Sequence, residues 1–308
     1  MARYLKEHGL VSRVRRSKPY LSPHALEKRR LWANEHKGWK VEDWKCVIFS
    51  DESKFMLFKS DGCQWCWIRP GQALDPQFTK KTVKHGGGSL MVWGCITAEG
   101  MGRLHRINGI MKGVDYVKIL DDNLLGTLKD QKLKKTGKYG IIFQQDNDPK
   151  HTSHVASNWF EEKRIKKLSW PPSSPDMNII EHVWHQLDWF VHARDPLLKN
   201  KEQLWEALQE EWACFPKASL DALYESMPSH VEALKEAQGS HTKYWSLVSG
   251  ILNGFSTRRL SFHVQAVLKS TAHHSPEFTN SHSSYACPTY SYILLQYSTL
   301  ISLQFKHL

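Results

Sequence analysis

The amino-acid sequence predicts an α/β fold in which helices flank a sheet and the C-terminal part is helical. Two kinds of segment carry this prediction. Short apolar runs such as 47–49 and 141–143 have the length of buried strands and end in polar residues. Longer segments such as 114–128 and 177–194 place apolar residues at helical spacing. With 308 residues, 41% of them hydrophobic, the chain is long enough to bury a sizeable core.

The first predicted helix follows a basic segment. Ser22 is a suitable N-cap and Pro23 suits the first helical position. The apolar residues near helical spacing are Leu26, Leu31 and Trp32. Residues 1–44 carry eleven Lys and Arg against five Asp and Glu, a large share of the net charge of +11. Four of these cations could lie along a phosphate backbone, or they could simply form a solvated linker; they are Arg13, Arg15, Arg16 and Lys18.

Two acids follow the next apolar run. The run 47–49 predicts a short buried strand that Asp51 ends, and 55–58 begins another strand. Glu52 competes with Asp51 for a role at this point. If the strand continued, Glu52 would point the other way, because side chains alternate along a strand.

A hairpin and an amphipathic helix are predicted next. Residues 89–97 and 102–107 form the two strands of the hairpin, and 98–100 form its turn. Residues 114–128 then form a helix. One face of that helix holds Tyr116, Val117, Leu120, Leu124 and Leu128.

A second acid is delivered at the end of another short strand. The apolar run 141–143 leads into the polar turn 146–149, so Asp146 sits at a strand end. A plain turn is the commoner meaning of such a sequence. Thr152 or Ser153 is predicted to cap a helix that ends at Lys163. Its inward residues are expected to be Val155, Trp159 and Phe160.

The C-terminal part is predicted to be mainly helical. After a short strand at 165–168, prolines forbid regular structure until Asp176 caps a helix over 177–194. Its apolar face holds Met177, Ile180, Trp184, Leu187 and Val191. Glu181 lies at the margin of this face, where a carboxylate is partly desolvated unless a cation meets it. Two more helices close the folded part, over 201–212 and 219–237.

Several classes of protein are disfavoured. Six cysteines in a chain of this length do not suggest a disulfide framework, and no signal peptide opens the sequence, so an intracellular setting is expected. The Cys63–Cys66 pair has no partner at zinc-site spacing. The sequence contains no run of 18 apolar residues, so a membrane span is not predicted. Gly86–Gly88 lacks the following residues of a phosphate loop, and no nucleophile sits in an elbow motif that would favour a serine or cysteine hydrolase.

Three acids, Asp51, Asp146 and Glu181, arrive from two strand ends and one helix. Gathered without a cation, carboxylates would repel each other by about 4 kcal/mol per pair at 4 Å and an effective dielectric of 20. Two divalent ions remove that penalty and could activate and stabilise oxygens in phosphodiester displacement. Mg²⁺ suits such a site because it takes few carboxylates and fills its remaining positions with water and phosphate oxygens.

The sequence resembles the transposases of the mariner superfamily, in particular its Tc-type branch, from about Gly9 to Tyr244. Between Asp146 and Glu181 lie 34 residues, the spacing typical of that branch. The matching stretches are Trp44–Phe55, Val92–Gly94, Phe143–Ser153 and Trp170–Trp184.

The resemblance implies a ribonuclease H-like core with a metal-dependent aspartate-aspartate-glutamate site formed by Asp51, Asp146 and Glu181. It implies two Mg²⁺ or Mn²⁺ ions, hydrolytic cutting at transposon ends, and attack of the freed 3′-hydroxyl on target DNA, usually at a TA dinucleotide. The partner would be double-stranded DNA, the enzyme could be a homodimer, and its location would be the nucleus. Four further motif residues are expected to support the site or touch DNA: Asn147, Asp148, His151 and Asn178.

Three regions are expected. Residues 1–44 would be a remnant of a helix-turn-helix DNA-binding region with a basic linker, 45–245 the catalytic domain, and 246–308 a disordered tail foreign to the family. Because the family begins with paired helix-turn-helix units, the chain looks like a truncated copy. The alternative function is therefore a catalytically silent DNA-binding remnant of a transposase.

Overall fold

A five-stranded mixed sheet forms the centre of the protein. The computed structural model describes residues 18–58, 87–134, 140–194 and 196–245. The strands are β1 (Val47–Met56), β2 (Ser89–Thr97), β3 (Gly100–Ile107), β4 (Ile142–Gln144) and β5 (Lys166–Lys167). They lie in the order β3-β2-β1-β4-β5. β2 is antiparallel to both β1 and β3, whereas β4 runs parallel to both β1 and β5.

Helices cover both faces of this sheet. The helices are α1 (Pro23–His36), α2 (Val41–Lys45), α3 (Gly113–Ile119), α4 (Leu125–Asp130), α5 (His154–Lys163), α6 (Ile180–His192), α7 (Lys201–Ala213) and α8 (Lys217–Glu236). A π-helical segment, Leu120–Leu124, joins α3 to α4, and a 3₁₀ turn, Pro175–Met177, precedes α6. The predicted sheet with flanking helices and a helical C-terminal part is therefore confirmed.

The alternation of side chains along β1 divides the interior into two cores. Val47 and Phe49 pack in the core shared by α1, α2 and α6 to α8, whereas Ile48 packs in the core beneath α3 to α5. This follows from the period of two in a strand, since neighbouring residues face opposite layers. The same alternation places the side chains of Asp51 and Glu52 on different faces.

The predicted break in β1 is wrong. Asp51 does not end a strand, because β1 continues to Met56 and pairs with β2 along its length, from Phe49 opposite Ile96 to Met56 opposite Ser89. The pairing with β4 does stop at Phe49. Asp51 therefore lies two residues past the last pair with β4, on a strand that β2 still holds.

The predicted start of α6 is also wrong. α6 begins at Ile180, and Asp176 does not cap it but lies in the preceding 3₁₀ turn, fully buried against Arg29. The predicted apolar face of the helix is buried as expected. In α5, Ser153 is the cap, since its hydroxyl accepts a hydrogen bond from the Ala156 N–H at 3.3 Å. Val155 is exposed rather than inward.

The first helix starts as predicted but turns a different face inward. The Ser22 hydroxyl accepts a hydrogen bond from the Ala25 N–H, as an N-cap should. Leu31 is exposed, and the buried residues are Ala25, Arg29, Trp32, Ala33 and His36. Together with Trp44 of α2, Trp32 joins the core that α8 completes. This core thus contains residues from both sides of position 44, and the division into three regions stays a prediction.

Several sequence predictions fall on parts of the chain that are not described. They include Arg13, Arg15, Arg16, the Cys63–Cys66 pair and the tail after residue 245, whereas Lys18 is described and exposed. Among the described residues, no helix is both long and apolar enough to cross a membrane.

Candidate active site

Asp51 points from the middle of β1 towards α6. One of its carboxylate oxygens accepts a hydrogen bond from the backbone N–H of Glu52 at 2.7 Å, and the other accepts from the Asn178 side-chain amide at 3.2 Å. The same Asn178 amide also donates to the Ser50 carbonyl at 3.3 Å. Asn178, predicted as a supporting residue, thus fixes the orientation of the Asp51 carboxylate.

Gly94 allows α6 to approach β1 at this point. It lies opposite Asp51 in the pairing of β1 with β2. A Cβ atom at this glycine would come within 2.8 Å of the rings of Trp184 and Trp212, which stack on each other. Glu181 lies less than one turn before Trp184 on α6, so the missing side chain at Gly94 helps to bring the glutamate close to the sheet.

Asp146 lies just beyond β4, where its side chain is 53% exposed. His151 holds it from the protein side, with 2.5 Å between the His151 Nδ1 and an Asp146 carboxylate oxygen. The same Asp146 oxygen accepts a hydrogen bond from the Asp148 N–H at 3.0 Å. The predicted turn therefore exists, and it points the carboxylate of Asp146 outward.

The three predicted acids line one cavity of about 320 Å³. They reach it from β1, from the end of β4 and from α6. The rest of the lining comes from two predicted segments, and its residues are Asn147, Asp148, Trp170, Pro171, Pro172, Ser173, Ser174, Pro175 and Asn178. The described residues of this lining include no Lys, Arg or His. A second cavity, of about 540 Å³, lies between the β2–β3 hairpin and the start of α8 and contains none of the three acids.

Asp51 and Glu181 lie in the cavity without a basic side chain in its described lining, and this changes their pKa values. Burial, followed by the nearby charges of Glu181 and Glu52, raises the pKa of Asp51 well above its usual value. Burial also raises the pKa of Glu181 to about 7, although a hydrogen bond with Asp51 lowers it somewhat. Two carboxyl groups that hold protons this strongly are suited to a cation that would replace those protons.

Asp146 is different because it has a cation beside it. Burial favours a higher pKa, but the hydrogen bonds from His151 and from the Asp148 N–H outweigh it, so the pKa of Asp146 is lowered. Burial likewise opposes the charged form of His151, yet its hydrogen bonds with Asp146 and Glu52 raise its pKa to about 9. At neutral pH the imidazolium therefore neutralises part of the charge of Asp146.

Glu52 is a site residue that sequence reasoning set aside. It faces away from Asp51, as the alternation predicted, and its carboxylate lies 3.0 Å from His151 Nε2 and 3.8 Å from Lys150 Nζ. It thereby holds the histidine that holds Asp146. The sequence signal for this role is the position of Glu52 next to Asp51 on a strand. Because side chains alternate, Glu52 lies on the opposite side of the sheet, where His151 is.

The other predicted supporting residues also have assigned contacts. The Asn147 side chain donates to the Trp170 carbonyl at 2.9 Å and so joins the two walls of the cavity. Asp148 pairs with Lys150 at 2.8 Å. The predicted DNA-contacting cation that is described, Lys18, does not line this cavity.

The donor atoms fit a hard divalent cation, although the ligand set is open. Among the described residues, no three His, Cys, Asp or Glu side chains are assembled closely enough to hold a metal ion on their own. The available donors are carboxylate oxygens together with the Asn178 Oδ1, which is buried and makes no hydrogen bond within the described structure. Oxygen donors in an open arrangement suit Mg²⁺, which keeps water and phosphate oxygens in its coordination shell.

Comparison with known proteins shows the family to which this chain belongs. Residues 46–213 match the family model of the DDE superfamily endonuclease. The Tcb2 transposase of Caenorhabditis briggsae and the Tc1 transposase of Caenorhabditis elegans are each 39% identical to this chain over 242 residues, which cover 79% of this chain and 86% of each relative. The class of protein is thus that of the DDE endonucleases.

The solved structures that resemble this one show the fold. A Mos1 transposase paired-end complex with the left transposon end aligns with a TM-score of 0.66 at 17% identity, covering 78% of this chain and 70% of that one. A Mos1 mariner paired-end complex with Mn aligns with a TM-score of 0.65 at 19% identity, with the same coverage. The core is ribonuclease H-like, as the resemblance implied. The chain belongs to the Tc/mariner superfamily of transposases and is a DDE-type DNA transposase.

Proposed function

We propose that Asp51, Asp146 and Glu181 form a divalent-metal site at which this transposase cuts transposon-end DNA and joins it to target DNA. The ions would be Mg²⁺ or Mn²⁺, two in each site. The observation that carries the proposal is the meeting of three acids from three different elements in one cavity whose described lining lacks a basic side chain. The Mos1 paired-end complexes with Mn and with Mg support the choice of ions.

The site would act by positioning carboxylates around the scissile phosphodiester. When bound, two divalent ions supply activation of the attacking oxygen and stabilisation of the leaving oxygen. Asp51 and Asp146 would share the two ions, and Glu181 would hold the second ion. Asn178 keeps the Asp51 carboxylate turned towards the cavity through its bond of 3.2 Å, and His151 does the same for Asp146.

The reaction needs water in the first step and a 3′-hydroxyl of DNA in the second. Hydrolysis at the transposon end breaks a P–O bond and frees that hydroxyl. The hydroxyl then attacks a phosphodiester of target DNA, usually at a TA dinucleotide, and displaces the adjoining strand. No side chain of the site needs to form a covalent bond with DNA, because both nucleophiles are oxygens of water or DNA.

The partner is proposed to be double-stranded DNA, namely the inverted-repeat ends and the target. Two ends must be processed together, so a homodimer is the proposed working form, in keeping with the paired-end complexes of Mos1. The site of action would be the nucleus. The contacts of Arg13, Arg15, Arg16 and Lys18 with phosphate remain predictions. The alternative of a silent DNA-binding remnant is not favoured, because the described cavity retains all three acids.

Nicking of supercoiled DNA in Mn²⁺ tests the proposal. Asp146→Asn should abolish the metal-dependent nicking of the full chain. Asp130→Asn is the matched control, since it removes an exposed carboxylate that pairs with Arg103 outside the cavity. Nicking that persists undiminished in Asp146→Asn would contradict the assignment. Salt-dependent DNA binding by the unmodified chain without any cleavage in Mg²⁺ or Mn²⁺ would favour the silent remnant.

A further inference from the structure

Arg29 of α1 lies at the centre of a buried ionic cluster that the proposed chemistry does not use. Its side chain and that of Asp176 are both completely buried, and they form a two-pronged pair with both distances at 2.8 Å. Arginine matches a carboxylate in this way because its planar guanidinium presents parallel donors. The pair joins α1 to the 3₁₀ turn that precedes α6.

The remaining donors of Arg29 bind two further segments. One nitrogen also donates to the Ser173 carbonyl at 2.9 Å and to the Ser174 hydroxyl at 2.8 Å. The other two donate to the carbonyls of Gly239, at 2.7 Å, and Ser240, at 3.2 Å, in the turn after α8. A single side chain of α1 thus binds both the cavity wall and the C-terminal end of the described fold.

The cavity wall depends on such contacts. Residues 169–174, between β5 and the 3₁₀ turn, form neither helix nor strand, and prolines remove backbone donors from the segment. α1 supports the segment at its other end as well, because Trp32 Nε1 donates to the Ser169 carbonyl at 2.7 Å. Side chains of α1 therefore contact this wall at both of its ends.

The ionic cluster is linked to the acids by a short series of bonds. Asp176 also accepts a hydrogen bond from the Thr242 hydroxyl at 2.8 Å and lies two residues before Asn178. The Asn178 side chain contacts Asp51, and its carbonyl accepts the N–H of Glu181 at 3.2 Å. A shift of the 3₁₀ turn would therefore move the partner of Asp51 and the first turn of α6 together.

We propose that Arg29 is a positioning residue for the transposase reaction, which sets the places of Asn178 and Glu181 by holding Asp176 and the wall 169–174. This inference rests on the proposed metal site and adds a residue from α1, outside the matched endonuclease region 46–213. Stability alone does not account for the arrangement, because replacing a buried ion pair with apolar residues of similar volume is often neutral or stabilising.

The test compares two double variants of the full chain. Arg29→Met/Asp176→Leu removes both charges, so that neither is left buried and unpaired. Arg194→Met/Glu211→Leu is the control, because Arg194 and the buried Glu211 form another pair, at 2.7 Å, that joins the segment just after α6 to α7, away from the cavity. The two measurements are the affinity for Mn²⁺ by calorimetry and the amide exchange of residues 169–181 without metal.

The proposal expects the Arg29 double variant to fold, to bind Mn²⁺ roughly tenfold more weakly, and to exchange faster only in residues 169–181. The control should change neither. If the double variant does not fold, Arg29→Lys keeps the charge but loses the fork, and it should show faster exchange in the same residues with a smaller loss of Mn²⁺ affinity. Unchanged exchange and unchanged Mn²⁺ binding in the folded variant overturn the proposal.

A third variant separates this inference from the proposed metal site. Glu181→Gln should weaken Mn²⁺ binding if the metal site is correct. If it does so while the Arg29 variants bind Mn²⁺ normally, the role of Arg29 alone is wrong. If Glu181→Gln leaves Mn²⁺ binding unchanged, the metal site is wrong, and the positioning role of Arg29 is rejected with it.

Discussion

Asp51 and Glu52 are neighbouring acids on one strand, yet they face two different environments. Asp51 faces α6 and lies near Glu181, in a cavity whose described lining offers no cation. Glu52 faces the opposite layer, where it lies 3.0 Å from His151 and 3.8 Å from Lys150. Glu52 therefore has cationic partners within the protein, whereas the described lining of the cavity offers none to Asp51.

At these two positions the difference separates a structural acid, Glu52, from a candidate metal ligand, Asp51. An acid that the protein neutralises can stabilise its surroundings, whereas one left beside other acids costs stability until an external cation arrives. The pKa of Asp51 is raised because burial and the neighbouring acids oppose its charged form. If this comparison is correct, changes at the two positions should have different effects on activity and opposite effects on stability.

The largest effect is expected on DNA cleavage. Asp51→Asn should lower the rate of metal-dependent nicking by about 10³-fold, since loss of metal-assisted charge stabilisation costs several kcal/mol in the transition state. Glu52→Gln should lower it by only about tenfold, because it acts through His151. Nicking rates of the two purified variants under the same Mn²⁺ concentration test this, and equal losses would remove the distinction.

A smaller loss of nicking activity is expected when His151, which contacts both Asp146 and Glu52, is replaced. His151→Gln removes the cation that holds Asp146 and the partner of Glu52. Nicking should fall by roughly 10- to 100-fold, as for other residues that orient metal ligands. Tyr116→Phe is a useful control, since it keeps the ring that packs on His151 and loses only the hydroxyl that donates to Gln145 at 2.7 Å. A normal rate in His151→Gln would show that Asp146 needs no support.

The stability of the metal-free protein should depend on pH through Glu181. Its pKa is raised from 4.5 to about 7, so the folded state holds this proton more tightly than the unfolded chain does. The resulting stabilisation, about 3 kcal/mol in full, is present below pH 4.5 and is lost as the pH rises through 7. Asp51, whose pKa is raised by burial and by the nearby charge of Glu181, should change in the same direction.

Urea denaturation in EDTA measures this dependence. From pH 5 to pH 8 the unmodified protein should lose about 2–3 kcal/mol relative to Glu181→Gln, which has no carboxyl group to titrate at this position. Comparing the two proteins cancels the titration of groups such as His151, His182 and His230, which remain in both. Parallel pH profiles for the two proteins would contradict the raised pKa.

The smallest expected effect is on the melting temperature at neutral pH, which Asp51→Asn and Glu52→Gln should shift in opposite directions. Without metal, Asp51→Asn should raise the melting temperature by a few degrees, corresponding to about 1–2 kcal/mol, because it removes a carboxyl group whose ionisation burial and the neighbouring acids oppose. Glu52→Gln should lower it by a similar amount, because it weakens the pairing of His151 and Lys150. Thermal unfolding in EDTA distinguishes the two, and a shift of the same sign would contradict the comparison.

Sequence reasoning located the acids better than the contacts that organise them. Alternation along β1 correctly placed Asp51 and Glu52 on different faces, because that depends only on strand geometry. The extent of β1 was missed, since the pairing with β2 that carries the strand to Met56 comes from residues about 40 positions away. The predicted catalytic roles of the acids remain a proposal, but their meeting in one cavity is a feature of the structure.

The role of α1 was beyond what local patterns could show. In the sequence Arg29 is one of eleven Lys and Arg among residues 1–44, and Asp176 was predicted to cap a helix. Their pairing spans 147 residues of the chain, so neither helical periodicity nor capping preference indicates it. The same limit explains why Leu31 was expected inside, whereas the helix turns Arg29 and Trp32 inward instead.

Titration of the full, metal-free chain with Mn²⁺ is the most direct test of the central claim. We predict saturable Mn²⁺ binding that is lost in Asp51→Asn and kept in Glu52→Gln, because of these two acids only Asp51 is proposed to serve as a ligand. Equal Mn²⁺ binding by the two variants, whether lost or kept in both, would contradict it.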